Sequence, residues 1–164
     1  MLRISKIIFY SILIVLLQVT ILPKYLAYPF TPNLMLIFVS YLALRGDASL
    51  TLTFGITAYI LGLIQGVFSG IYLGLSGFSF LLIFTFLNLM SEKLYADSGQ
   101  LMVVIVFFAT IADGLITLTL LLLFSVAGDI YQSILVNLLQ QALVNALIAS
   151  ILFGVLSFDK KVEI

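Results

Sequence analysis

Long apolar runs follow one another along the chain, and short segments that carry Pro, Gly or charged residues separate them. An α-helix needs about 20 apolar residues to cross a bilayer, and six runs reach or approach that length. The pattern therefore predicts an all-α integral membrane protein, a bundle of six transmembrane helices that forms one domain over residues 1–164. The predicted spans cover residues 7–22, 28–44, 50–68, 73–90, 101–126 and 130–158.

The limits of the first two spans need interpretation. A signal peptide is the competing interpretation of the run 7–22, but its length and the lack of a small-x-small cleavage site after it favour an uncleaved helix. The apolar run from Leu34 to Leu44 is too short to cross a bilayer alone. Counting back to Tyr28 gives about 17 residues, which suffice if the segment is partly irregular or the bilayer thins locally.

A ladder of glycines joins the third and fourth spans. Four glycines recur every four residues: Gly62, Gly66, Gly70 and Gly74. A step of four residues returns to nearly the same helix face, so Gly62 and Gly66 would present a groove into which another membrane helix can pack closely. Because Gly costs about 1 kcal/mol per helical position relative to Ala, the dense glycines predict a helix break near Ser69 and Gly70 and a restart around Phe78. We interpret the ladder as a packing face and turn rather than a ligand site, since Gly is common in membrane helices for packing alone.

Composition and charge narrow the function classes. Hydrophobic residues make up 63% of the chain and charged residues 9%, and the mean hydropathy is +1.32, far above the range of soluble domains. The net charge is zero, so the chain lacks the basic field that attracts nucleic acid. The absence of Cys and His removes disulfides, thiolate nucleophiles, His bases and nearly all zinc or haem sites. We expect a protein without enzyme activity, metal or cofactor.

The basic residues predict the orientation in the membrane. All of them except Lys24 fall on the side of the N terminus: Arg3, Lys6, Arg45, Lys93, Lys160 and Lys161. By the positive-inside rule this side is cytoplasmic, and six spans then place both termini in the cytoplasm. Omitting the doubtful second span would scatter the basic residues over both sides, so the charges support the count of six.

Asp113 is the only ionisable residue well inside a predicted span. An ionised carboxylate at that depth costs about 2.5 to 3.5 kcal/mol, so its side chain is expected to face the bundle interior. Two interpretations stay open: a proton or ligand site, and a satisfied hydrogen bond between helices.

An amide stripe follows one face of the last predicted span, where candidate partners for Asp113 lie. Asn137, Gln141 and Asn145 are four residues apart, and Gln140 lies beside them. Amides of this kind usually join membrane helices, at about 0.6 to 2 kcal/mol each, and would fix the fifth span against the sixth. A substrate-binding stripe is the less common alternative. No phosphate-binding loop, metal cluster or nucleophile-base pair is visible in the sequence.

The order of four segments resembles the family of the bacterial rod-shape-determining membrane protein MreD. The segments are Pro32-Asn33-Leu34, where the family usually has Pro-Asp-Leu; Tyr41 to Arg45-Gly46; the run from Gly62 through Ser69-Gly70 to Gly74; and Ala142 to Leu147. The resemblance covers residues 30 to 158. The chain departs from the family at Gly66, with Gln65 beside it, where the family often has an aspartate.

This resemblance implies a non-enzymatic scaffold in the bacterial inner membrane that takes part in rod cell-shape determination and in the regulation of peptidoglycan synthesis. The implied partner is MreC and, through MreC, the actin-like MreB filament and the peptidoglycan synthase pair of RodA and penicillin-binding protein 2. The family is also similar in fold to the substrate-binding subunits of energy-coupling-factor vitamin transporters.

Two other functions compete with the scaffold. A small-molecule (vitamin) binding subunit of a transporter is motivated by the six helices, Asp113 and the amide stripe. Such subunits are expected to dock through small residues on the first helix, but Ile7 to Leu22 contains neither Ala nor Gly. A membrane-embedded hydrolase is the third candidate, and it lacks His, Cys and a lysine within a span.

Overall fold

The computed structural model describes residues 2–27, 30–45, 48–69, 74–91, 99–124 and 129–159. Within these ranges all regular secondary structure is helical. The helices are α1 (Leu2–Leu16), a π-helical turn (Leu17–Ile21), α2 (Leu22–Tyr25), α3 (Leu34–Arg45), α4 (Thr51–Ser69), α5 (Leu75–Ser91), α6 (Gly99–Leu123) and α7 (Asp129–Asp159), with a short 3₁₀ turn (Ala48–Leu50) before α4.

The prediction of an all-α membrane protein is confirmed at this level. Four stretches of the described residues are long and apolar enough to cross a bilayer: Ile4–Tyr25, Ala48–Ser69, Gln100–Leu123 and Gln132–Phe153. The two remaining apolar helices, α3 and α5, are shorter. With 12 residues, α3 is only about 18 Å long, against a hydrocarbon core of about 30 Å. Whether α3 and α5 complete six crossings stays a prediction.

The N-terminal helix, which we define as α1, the π-helical turn and α2 together, continues without interruption from Leu2 to Tyr25. Pro23 has no N–H, so the Val19 carbonyl cannot accept the bond that an α-helix would give it. The wider π-helical turn lies at this place. It buries Gln18 while Leu16 and Ile21, on either side, stay exposed.

Helix α3, the shortest once the N-terminal helix is counted as one, lies at the centre of the bundle. It contacts α1, α4, α5, α6 and α7, and its apolar side chains are buried on several faces. Met35, Leu36 and Val39 have no exposed surface. A helix that is hydrophobic all round is expected in such a position. The predicted second span began at residue 28; residues 28 and 29 lie outside the described ranges, and the helix itself begins at Leu34.

The glycine ladder is divided between a helix contact and a turn. Gly62 of α4 packs on the start of α5, where a Cβ added to Gly62 would lie 2.6 Å from the Gly77 Cα and would also collide with the Ser76 carbonyl. Gly74 has a φ of 100°, a conformation that favours glycine. Gly66 is buried in α4, and Gly70 lies outside the described residues.

The start of α5 lies between two positions that the sequence indicated. The predicted span began at residue 73 and the dense glycines predicted a restart around Phe78, whereas α5 begins at Leu75, so Ser76 and Gly77 belong to its first turn. Both residues are buried against α4. The close backbone contact with Gly62 therefore offsets the low helix propensity that motivated the prediction.

Candidate functional site

Gln18 is the centre of a buried hydrogen-bond network, and every polar atom of its side chain is used. Its Nε2 donates to the Asn33 Oδ1 at 3.3 Å and to the Gln65 Oε1 at 2.5 Å. Its Oε1 accepts from the Met35 backbone N–H at 2.9 Å. An amide in an apolar run thus finds partners in α4 and at the start of α3, as a buried amide must.

Asn33 directly precedes α3 and is its N-cap residue. Its Oδ1 accepts from the Leu36 N–H at 3.1 Å, the bond expected of an N-cap residue. Because Gln18 accepts from the Met35 N–H, two of the donors that a helix start leaves unpaired are satisfied, one locally and one by the N-terminal helix. The N-terminal helix is thereby tied to the start of α3 through the backbone.

Asn145 joins α7 to the same network. It is fully buried, and its Oδ1 accepts from the Asn33 backbone N–H at 2.7 Å. Its Nδ2 donates to the Thr110 Oγ1 of α6 at 3.0 Å, and this hydroxyl donates on to the Val106 carbonyl at 2.9 Å. We call Gln18, Asn33, Gln65, Thr110 and Asn145 the amide network. It connects the N-terminal helix, α3, α4, α6 and α7.

Asp113 lies next to the amide network but outside it. Its Oδ1 accepts from the Ser79 Oγ of α5 at 2.5 Å, which links α6 to α5. The sequence pointed to the amides of the last span as candidate partners, yet none of its described amides bonds Asp113. No described Lys or Arg forms an ion pair with it.

A cavity of about 810 Å³ lies beside these side chains. Its polar lining consists of Gln18, Thr31, Asn33, Gln65, Ser69, Ser76, Asp113, Thr117, Ser133 and Gln141, and its apolar lining consists of Val19, Pro23, Pro32, Phe68, Gly114 and Ile134. Asp113 is the only charged residue among them. The cavity therefore combines apolar walls with many amide and hydroxyl groups and one carboxylate.

The cavity lies at one end of the bundle, which we call the polar end. Its lining comes from the last turns of the N-terminal helix and α4, from residues 31–33 just before α3, and from the first turn of α5. The α6 residues 113–117 and the α7 residues 133–141 complete it. The start of α3 lies beside Gln18, well before the end of the N-terminal helix at Tyr25, and the start of α5 lies beside Gly62, well before the end of α4 at Ser69. Both starts are therefore recessed between longer neighbours. The cavity occupies the space between the longer helices beyond the starts of α3 and α5.

The other predicted site residues take different positions. Gln141 and Ser69 line the cavity, as does Pro32. Asn137 bonds the Ser133 carbonyl of its own helix at 2.8 Å, and it makes no hydrogen bond to another helix within the described residues. Arg45 is the last residue of α3, and Gly46 lies outside the described residues.

The sequence did not single out three residues that matter here. Gln18 and Thr110 belong to the amide network, and Ser79 bonds Asp113. The signal for Gln18 was present: it is the only amide in its apolar run and it lies five positions before Pro23. Ser and Thr are too common in membrane helices, where they bond their own backbone, to be recognised this way. Only the facing helix shows which hydroxyls serve another residue.

The chemistry available at the polar end is hydrogen bonding and charge attraction. The described residues contain no group of three or more His, Cys, Asp or Glu that could hold a metal ion. Asp113 accepts a hydrogen bond from the Ser79 hydroxyl. The arrangement can bind and orient a molecule and can hold helices in register.

Comparison of the chain with models of known protein families, with curated proteins and with solved structures finds no match to any of them.

Proposed function

We propose that this chain is a non-enzymatic scaffold of the bacterial cell-elongation machinery in the inner membrane, with both termini in the cytoplasm. It would associate with MreC and, through MreC, with MreB, RodA and penicillin-binding protein 2. The mechanism is positioning: a bundle held in one register presents its outer helix surfaces to partner proteins. The resemblance of four sequence segments to the MreD family is the starting point of this proposal.

One observation carries the proposal: segments that carry the resemblance meet in the amide network although they are far apart in sequence. Asn33 belongs to the first segment, Gln65 to the third and Asn145 to the last. The Asn33 N–H donates to the Asn145 Oδ1 at 2.7 Å, and Gln18 bonds both Asn33 and Gln65. If these segments have one structural role together, the resemblance is expected to lie in their order along the chain and not in any single segment.

The residues at the position where the family often has an aspartate are compatible with a structural role in hydrogen bonding. This chain has Gly66 there, and Gln65 beside it accepts a hydrogen bond from Gln18 at 2.5 Å. An amide oxygen one position earlier thus supplies an acceptor near the place where the family would supply a carboxylate. A bonding role can survive this change, whereas a role that needs negative charge cannot.

The long helices leave much surface for lipid and partners. The most hydrophobic window of Ile4–Tyr25 is only 6% buried within the chain, and that of Gln132–Phe153 is 17% buried, against 39% for Gln100–Leu123. The N-terminal helix and α7 therefore form the outside of the bundle. A protein that works by presenting helices needs such surfaces.

Co-purification with MreC, combined with depletion in rod-shaped cells, tests the scaffold proposal. We expect capture of MreC by the tagged chain and rounding of depleted cells. Asn145→Leu, which removes the junction of α3, α6 and α7, should weaken capture, and Asn137→Leu in the same helix is the matched control. Depleted cells of normal shape and no MreC in the eluate would overturn the proposal.

Reporter fusions test the proposed orientation separately. Fusions after Tyr28 and at Asp129 should read external, and fusions at Gly46, Asp97 and Ile164 should read cytoplasmic. A single reversed reporter contradicts the arrangement of six crossings with both termini inside.

The cavity favours a second candidate function, a small-molecule binding subunit of a transporter. Its volume of about 810 Å³ lies within the usual range of ligand sites, about 300 to 1,000 Å³. A vitamin that co-purifies at stoichiometric amounts from cells of normal shape would support this function over the scaffold. The N-terminal helix still lacks Ala and Gly between Ile7 and Leu22, which counts against docking of that kind.

A further inference from the structure

We infer that the cavity at the polar end is a binding site for a small organic cation, a molecule with an ammonium group and further hydroxyl or carbonyl groups. This site is separate from the scaffold role, since it depends on the inner lining of the bundle and not on its outer surfaces. The transporter candidate leaves the chemistry of its ligand open, and the lining residues restrict it.

Part of the polar lining is already bonded and forms a fixed wall. The Gln18 side chain uses both its donors and its acceptor within the protein, and the Asn33 Oδ1 accepts two bonds. These side chains cannot turn toward a ligand without leaving a buried partner unpaired, which costs about 1 to 3 kcal/mol. They shape the cavity and keep it preorganised.

Another part of the lining keeps free hydrogen-bonding groups. Among the described residues, Ser76, Thr117 and Gln141 make no hydrogen bond with their side chains, although all three line the cavity. Gln65 uses its Oε1 for Gln18, and its amide donors have no protein partner within the described ranges. These groups surround the cavity from α4, α5, α6 and α7, so a molecule with several hydroxyl or carbonyl groups could bond more than one helix at once.

Asp113 determines which sign of charge the ligand should carry. It is the only charged lining residue, and no described basic residue pairs with it. Lys24 follows the lining residue Pro23 but is exposed and is not itself part of the lining. A carboxylate without a protein cation, surrounded by apolar walls, attracts a ligand cation and repels an anion more strongly than it would in water.

The size and the ligand set favour an organic cation over a metal ion. A Ca²⁺ or Mg²⁺ site gathers several oxygen ligands at about 2.0 to 2.6 Å, usually with more than one carboxylate. The described residues offer no cluster of acidic ligands, and the cavity is far larger than an ion. Its apolar residues, such as Phe68 and Ile134, suit the carbon frame of an organic molecule.

Thiol protection tests the site directly, because the chain has no Cys and one introduced thiol is unique. Gln141→Cys places a thiol in the cavity lining, and Gln140→Cys, the matched control, places it on the exposed side of the same helix. The full chain in nanodiscs is labelled with the neutral reagent N-ethylmaleimide. The probes are glucosamine, glucose and glucuronate, which share a sugar ring and differ in charge.

We expect glucosamine to slow the labelling of Gln141→Cys in a saturable way. Glucose should protect at an apparent Kd about tenfold higher and glucuronate not at all, because only the ammonium makes a charge-assisted bond with Asp113. Adding Asp113→Asn, which keeps an oxygen that can accept from Ser79, should reduce glucosamine to the level of glucose. The labelling of Gln140→Cys should not respond to any probe.

Several outcomes would overturn the inference. They are a Gln141→Cys thiol that the reagent cannot reach, protection that does not depend on the charge of the sugar, and glucosamine protection that survives Asp113→Asn. None of these results bears on MreC capture or on cell shape, so the cation site and the scaffold proposal fail independently.

Discussion

The polar end and the opposite end of the bundle share α3, α6 and α7 and are held together by different interactions. At the opposite end, which we call the apolar end, Ile37, Met102, Val106, Ala149 and Phe153 form a buried cluster. The Tyr41 and Phe153 rings stack there with centroids 6.0 Å apart. At the polar end, amides and hydroxyls take the place of such packing and leave a cavity.

The difference shows how helix length decides what fills a membrane bundle. Where α3 lies alongside its neighbours, apolar side chains pack together and leave little empty space. Beyond the start of α3, the neighbours have no apolar surface opposite them, and the free N–H groups of the helix start need partners. Gln18 and Asn33 supply those partners, so the polar environment at this end follows from the recessed start of the central helix.

The largest expected effect is at the apolar end. Phe153→Ala should lower the free energy of unfolding by about 3 to 5 kcal/mol, because it removes a packed ring and leaves a cavity. Phe153 is 5% exposed, whereas Phe108 is 62% exposed. Phe108→Ala is therefore the control and should change stability little. Denaturant unfolding in micelles measures both. Equal losses would show that the apolar end is not close-packed.

The next effect tests the close helix contact beside the polar end. Gly62→Ala should destabilise the chain by about 1 to 3 kcal/mol, since the new methyl would meet the backbone of Ser76 and Gly77, which cannot move aside without shifting α5. Gly55→Ala is the matched control in the same helix. Its Cβ would lie 3.5 Å from the Phe84 ring, an ordinary contact.

Thermal unfolding of the two glycine variants separates packing from helix propensity. Ala is the better helix former by about 1 kcal/mol, so Gly55→Ala should be neutral or stabilising. A stabilising Gly62→Ala would contradict the close approach of α4 and α5.

A smaller effect is expected within the amide network. Asn145→Leu should cost about 0.6 to 1.7 kcal/mol per lost bond between helices, in the range found for polar contacts in membrane bundles. Thr110→Val removes the other partner of the Asn145–Thr110 bond. A double-mutant cycle with these two variants should show a coupling energy, and additive losses would contradict the bond.

Asn137→Leu is the control for the network. Among the described residues its amide bonds only its own helix, so its loss should change stability by a few tenths of a kcal/mol.

The smallest effect on stability is expected for Asp113→Asn. The asparagine Oδ1 can still accept from the Ser79 hydroxyl, so the link between α5 and α6 survives, and we expect a change below about 0.5 kcal/mol. Ser79→Ala, which removes the donor, should cost more. A large loss with Asn would show that the negative charge, rather than the hydrogen bond, stabilises the bundle.

The sequence predicted the membrane class and the helices from hydropathy alone, because the bilayer requires long apolar runs wherever a helix crosses. It also singled out Asp113 and Asn145 as buried polar candidates, since an ionisable group or an amide in such a run is rare. It did not predict the Asp113–Ser79 bond or the importance of Gln18. A hydrophobic pattern indicates that a residue lies in the membrane, but it does not indicate which neighbouring helix that residue contacts.

Length, composition and the order of apolar runs by themselves determined that this is an all-helical membrane protein, because lipid leaves a chain few ways to satisfy its backbone. Only the tertiary structure decided that α3 is central, that α5 begins at Leu75, and that Gln18, Asn33 and Asn145 meet. These facts depend on contacts between residues up to 112 positions apart. Which distant side chains become neighbours is fixed by how the helices pack, and no local pattern in the chain encodes it.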